Sequence, residues 1–159
     1  KIRLRREKGA DFTVQSAIPL ESLLPIFYQR REIYMEFKGI SRVFSTVGEQ
    51  QYDTIGLFWD ELSNLCGREN LRGLGYNWTN TSIEYVIGLK NGEIDGWDVC
   101  VALPEDGWTR VKGRTEELGK LYDEIYRDGP LKYEIEMFDD DGNCVIDYVR
   151  EAPNFFTYS

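Results

Sequence analysis

Histidine is absent from this 159-residue chain. That removes His-based catalytic triads, imidazole metal ligands and imidazole general bases together. Cysteine is scarce. Cys66, Cys100 and Cys144 are odd in number, widely spaced and without a CxxC or zinc pattern. They read as small apolar residues of a protein in a reducing cytosol, not as a disulfide framework. No apolar run approaches the ~20 residues needed to cross a membrane, so the chain reads as soluble with no membrane partner. The basic start is followed by no apolar segment of a signal peptide. The chain does not begin with Met, which fits a piece of a longer protein equally well. Positive charge is in deficit, 19 Lys and Arg against 28 Asp and Glu, for a net −9. Because DNA binding neutralises phosphates with Lys and Arg, the chain is not expected to hold DNA by itself. No phosphate loop, dinucleotide fingerprint or nucleophile elbow occurs, and neither a cofactor, a metal site nor a catalytic residue is expected. The Asp139–Asn143 run lacks the spacing and closing glutamate of a calcium loop and reads as a hairpin turn.

Aromatic residues are abundant, at 14% of the chain. After a basic stretch, Lys1 to Lys8, and an apolar segment with two prolines, Ala17 to Tyr28, the pattern becomes regular. Glu32 to Ser45 alternates like a long strand, with a bulge or close approach at Gly39. Gln50 to Cys66 carries Ile55, Trp59, Leu62 and Cys66 at helical spacing and stops at Gly67. Leu74 to Trp78 and Ile83 to Leu89 are strand-like. Trp97 to Leu103 alternates, and Trp108 to Lys112 reads as a strand. Glu116 to Arg127 is a helix, with Leu118, Leu121, Tyr122 and Ile125 on one face. Tyr133 to Phe138 and Val145 to Arg150 form a hairpin. Both halves thus run strand, helix, strand, strand, the second about 70 residues after the first, an internal repeat. The expectation is one α+β domain: a duplicated β-α-β-β unit whose curved antiparallel sheet has two main helices on one face and a ligand cleft on the other.

Glu134 and Glu136 are two apart on a strand and project to the same face, with Phe138. Tyr133, Ile135 and Met137 share the other face. The apolar set is the better match for the helices, which places both glutamates on the opposite, concave face. Rings around a carboxylate would hold a flat cation by stacking, cation–π contact and charge. Trp59, Tyr76, Trp78, Tyr85 and Trp108 are the ring candidates. The same spacing also fits two solvated strand glutamates, and each ring also fits the core.

Several motifs in order carry a family resemblance: Phe37-Lys38-Gly39-Ile40-Ser41-Arg42, Leu57-Phe58-Trp59, Ile83-Glu84-Tyr85-Val86-Ile87-Gly88, Leu103-Pro104 with Gly107-Trp108-Thr109, Leu121-Tyr122-Asp123-Glu124-Ile125-Tyr126, and Glu136-Met137-Phe138. Together they resemble the GyrI-like effector-binding domain, the sensor unit of many AraC- and MerR-type bacterial regulators and of standalone relatives. The resemblance implies an effector-binding domain over residues 31–152, with a linker or extension at 1–30 and a tail at 153–159. It implies a pocket glutamate followed two residues later by an aromatic, which Glu136 matches, with Glu134 in reserve. Two departures stand out. Arg127-Asp128-Gly129-Pro130-Leu131 replaces the family's Trp-Leu-Pro after the second helix, and Trp108 stands where a tyrosine is usual. The implied role is binding a cationic or lipophilic small molecule, in the manner of multidrug binders, within cytoplasmic transcription regulation. DNA would then be reached only through a separate or fused DNA-binding domain. The alternatives are a standalone hydrolase with Glu136 as general base, helped by Tyr76 or Tyr85, and a gyrase-inhibitor-like protein-binding module. Neither the ligand nor the oligomeric state is legible.

Overall fold

The computed structural model describes residues 34–152. The segments read as extension and tail, 1–30 and 153–159, lie outside the described residues. Strand β1 (Tyr34–Ser45) leads to helix α1 (Gln51–Cys66), then β2 (Leu71–Tyr76), β3 (Ser82–Leu89) and β4 (Val99–Pro104). The second half supplies β5 (Thr109–Arg114), α2 (Leu118–Arg127), β6 (Leu131–Phe138) and β7 (Asn143–Arg150). All strand pairs are antiparallel, and the seven-stranded order is β4-β1-β3-β2-β6-β7-β5. The fold is the expected α+β duplication. The repeats meet at the β2–β6 pair, so β1-β3-β2 mirrors β5-β7-β6 across the centre of the sheet. The offset between equivalent elements is not uniform. The third strands, Ser82–Leu89 and Asn143–Arg150, and the helix ends, Cys66 and Arg127, lie 61 positions apart. The first strands, ending at Ser45 and Arg114, lie 69 apart. The difference arises because α2 is six residues shorter than α1 and its approach two residues shorter.

Helix α1 forms because Phe58, Trp59 and Leu62 recur along one stripe and are all buried against the sheet. It ends where Gly67, at φ +81°, turns its N–H back to the Ser63 carbonyl, a conformation that favours glycine. Helix α2 is shorter and buries Tyr122 and Ile125. In β1, Gly39 marks the change of partner: residues up to Gly39 pair with β4, and those from Ile40 pair with β3. A Cβ at Gly39 would collide with the Ile87 carbonyl, so the close approach expected there is present. The Asp139–Asn143 turn is held by the Asp139 carboxylate, which accepts from the backbone N–H groups of Asp141 and Asn143.

The sheet is forced to curl. Six interstrand steps of ~4.8 Å would hold the outer strands of a flat sheet ~29 Å apart. Yet β4 at one rim and β5 at the other are joined by residues 105–108 alone, and five Cα steps reach at most ~18 Å. The curl closes toward the face bearing Phe37, Leu74, Val86, Leu103 and Ile135, which pack together from five strands. Trp108 seals it, donating its indole N–H to the Pro104 carbonyl and packing on Tyr133 of β6 with ring centroids 6.4 Å apart. The inside of the curl is therefore filled with side chains, and both helices lie on the opposite face, where Phe58, Trp59 and Leu62 meet Ile83, Tyr85 and Ile87.

Candidate functional site

The cleft does not lie opposite the helices. Glu134 and Glu136 point to the helix-bearing face: Tyr126 and Tyr122 of α2 both donate hydrogen bonds to them. This corrects the side assigned from the sequence. Alternation placed Tyr133, Ile135 and Met137 together correctly, but Tyr133 and Ile135 pack inside the curl instead of meeting the helices. When both faces of a sheet are covered, the more apolar face need not be the one beneath the helices.

Between α1 and α2 a cavity of about 300 Å³ opens over β3 and β6. Its base holds Glu134, 5% exposed, and Glu136, 8% exposed. Seven of its sixteen lining residues carry rings: Trp59 and Tyr52 from α1, Tyr122 and Tyr126 from α2, Tyr85 from β3, Phe138 from β6, and Trp78. A relay fixes Glu136. Trp59 Nε1–H donates to the Tyr85 hydroxyl at 2.9 Å, and Tyr85 O–H donates to Glu136 Oε2 at 2.6 Å. Tyr122 O–H donates to Glu136 Oε1. Tyr126 O–H donates to Glu134 Oε2 at 3.0 Å. Burial raises the phenol pKa of Tyr85 and Tyr122, so both remain donors across the ordinary pH range.

Room for the pair comes from β2. Gly73 is paired with Glu136 and Gly75 with Glu134 in the β2–β6 ladder. A Cβ at Gly73 would overlap the Tyr85 hydroxyl, and one at Gly75 would lie 2.8 Å from Glu134 Oε1. The central strand of one repeat supplies the carboxylates and that of the other supplies the space.

The electrostatics follow from the crowding. Glu134 is pushed up to about 8, first by burial and then by the neighbouring Glu136 charge, against the pull of the Tyr126 hydrogen bond. Glu136 is also raised by burial, opposed by Tyr122, Tyr85 and the charge of Arg68. Arg68 lines the cavity and stacks its guanidinium on Phe138, 4.6 Å from the ring centroid. Among the described residues no group of His, Cys, Asp and Glu has the arrangement of a metal site. No described helix is long and apolar enough to cross a membrane.

Of the seven residues singled out in the sequence, Glu134, Glu136, Trp59, Trp78 and Tyr85 meet around this cavity. Tyr76 and Trp108 do not. Tyr76 lies on the inner face, donating to Glu84 and stacking on Tyr133, and Trp108 closes the curl. Tyr76 alternates away from the helices in β2, and Trp108 lies in the link between β4 and β5. Sequence reasoning missed Tyr122, Tyr126 and Arg68. Tyr122 and Tyr126 are one helical turn apart, and Tyr122 had been read only as core. The Gly73-Leu74-Gly75 spacing, matched to the two-residue spacing of the glutamates, was the signal that could have located the site.

No family model and no curated protein sequence matches the chain. Among solved structures, the fold is similar to SAV2435 in its complex with tetraphenylphosphonium. The TM-score is 0.51 at 9% identity, over 75% of this chain and 94% of that one. The likeness is one of fold.

Proposed function

We propose that residues 34–152 form a receptor for lipophilic cations, and that this receptor is the effector-sensing domain of a GyrI-like bacterial transcription regulator. One observation carries the reading: two buried carboxylates share the base of a ring-walled cavity, with a single arginine beside them. Burying a carboxylate is costly unless it is paired, and tyrosine hydroxyls compensate only part of that cost. A bound cation would relieve it, while the rings would bury its apolar surface. The volume falls at the lower end of the range of small-molecule sites. The fold shared with SAV2435, solved with a lipophilic phosphonium cation, and the resemblance of the sequence to the GyrI-like family both support the proposal. The hydroxyls of Tyr85, Tyr122 and Tyr126 already donate to the pair, an arrangement that favours holding a charge over turning over a substrate.

The test is a titration of tetraphenylphosphonium followed by tryptophan fluorescence, since Trp59 and Trp78 line the cavity. Saturable quenching is expected, with affinity reduced several-fold to ~100-fold in the Glu134→Gln/Glu136→Gln double variant. No saturation, or equal affinity in a folded double variant, would refute the receptor. The regulatory role has its own check: a helix-turn-helix encoded in frame upstream of Lys1, or a neighbouring regulator gene whose product binds this chain.

A further inference from the structure

We infer that Glu134, rather than Glu136, is the carboxylate that meets the ligand, and that the cavity selects cations carrying N–H donors, such as aryl amidines and guanidines, over quaternary cations of similar size. The inference rests on the receptor reading above and names the ligand class within it.

The two carboxylates are not equivalent. Glu136 accepts a tyrosine hydrogen bond on each oxygen and has the Arg68 charge beside it. Its role is to anchor Tyr85, Tyr122 and, through Tyr85, Trp59. Glu134 accepts one hydrogen bond, from Tyr126 to Oε2. Its Oε1 accepts none from the described residues, and no described cation offsets its charge. A ligand cation therefore gains more at Glu134.

The surrounding groups decide which cation. The phenol hydrogens of Tyr85, Tyr122 and Tyr126 and the indole hydrogen of Trp59 are already donated within the protein. What remains on Glu134 itself is acceptor capacity, Oε1 and the second lone pair of Oε2, and the one tyrosine hydroxyl of the lining not already donated among the described residues is that of Tyr52. Gln51 lines the same cavity, and its side-chain oxygen is buried with no partner among the described residues. A quaternary cation offers charge but no hydrogen, and leaves these acceptors unmet. An amidinium or guanidinium presents two parallel N–H groups that match a carboxylate edge. Sites built to hydrogen-bond a ligand discriminate strongly against analogues that lack the donor.

Two probes isolate this difference: 2-naphthamidinium and (2-naphthyl)trimethylammonium share a ring system and a single charge. Each is titrated into the full chain by calorimetry, beside tetraphenylphosphonium. The amidinium is expected to bind about tenfold or more tightly than the trimethylammonium, by the usual strength of charge-assisted hydrogen bonds. Glu134→Gln should bring the two probes to within about twofold, because the charged acceptor is gone. Tyr126→Phe frees a lone pair on Glu134 and should keep or enlarge the preference, so the assignment is readable without removing either carboxylate. Equal affinities in the wild type, or a preference that survives Glu134→Gln, overturns the inference while tetraphenylphosphonium binding leaves the receptor standing. If none of the three cations binds, the receptor falls and this inference with it.

Discussion

Gly73 and Gly75 shape the site as much as the glutamates across from them. The two positions differ in what an added methyl would meet. At Gly73 it meets the Tyr85 hydroxyl, held between Trp59 and Glu136, and cannot be accommodated without breaking that relay. Gly73→Ala should therefore destabilise the fold by about 1–3 kcal/mol, the usual cost of overpacking, measured by urea denaturation. At Gly75 it meets Glu134 Oε1 and Cγ and Ile83 Cδ1 at 2.8 Å, 3.0 Å and 3.1 Å, and the nearest of these belongs to a carboxylate with a single hydrogen bond that can shift. Gly75→Ala should cost less stability and more affinity, and the reverse order would contradict this account. Glu134 also sets a pH dependence. Its folded value, about 8, stands above the ordinary 4.5, so between the two the folded state holds a proton that the unfolded chain has lost. The stabilisation is complete below about pH 4.5 and is lost as pH rises through about 8. The unliganded protein should melt at a lower temperature at pH 9 than at pH 6.5, Glu134→Gln should flatten that difference, and cation affinity should move the opposite way. Calorimetric melts and titrations at the two pH values read both.

The two helices are unequal supports. α1 has 16 residues and three buried side chains, whereas α2 has 10 residues, with Tyr122 and Ile125 buried. With less apolar contact, α2 should open more readily than the sheet. Hydrogen exchange should show α2 amides exchanging before those of β2, β3 and β6, with a bound cation protecting α2 through Tyr122 and Tyr126. Equal protection of both helices without ligand would go against it. The elements themselves were readable because local pattern decides them: the stripe around Trp59, the alternation of β6 and the stop at Gly67 all hold. The side of the sheet was not. Ile135 and Glu136 are both buried, at 5% and 8%, since the curl covers one and the helices cover the other. Polarity separates faces only when one of them meets water, and here neither does. Tyr76 and Trp108 were misplaced for the same reason, being drawn to a cleft on the inner face that side chains fill.

At the scale of the whole chain, charge argues against one partner. With a net −9, duplex DNA should give no gel shift at low micromolar protein near 150 mM salt, a range where non-specific binders at ~10⁻⁶ M would be seen. A clean shift would overturn this expectation and reveal a nucleic-acid surface that net charge does not show.

The connection between β4 and β5 has a reach that extends past the fold itself. Because residues 105–108 are too few to bridge a flat sheet, the chain length there works as a drawstring on the rims. Tightening the rims on one side bows the strands that carry the helices on the other. The prediction is that the gap between α1 and α2 responds to the length of this link, although residues 105–108 line none of it. Four Gly or Ser residues inserted after Asp106 would slacken the drawstring at small entropic cost. They should shift the size of cation preferred while every cavity side chain keeps its identity. A ligand series graded by bulk would show the shift, and an unchanged optimum would mean that the helices set the gap alone. Natural variation in the length of such a tether would then offer a way to retune a receptor without touching its recognition residues.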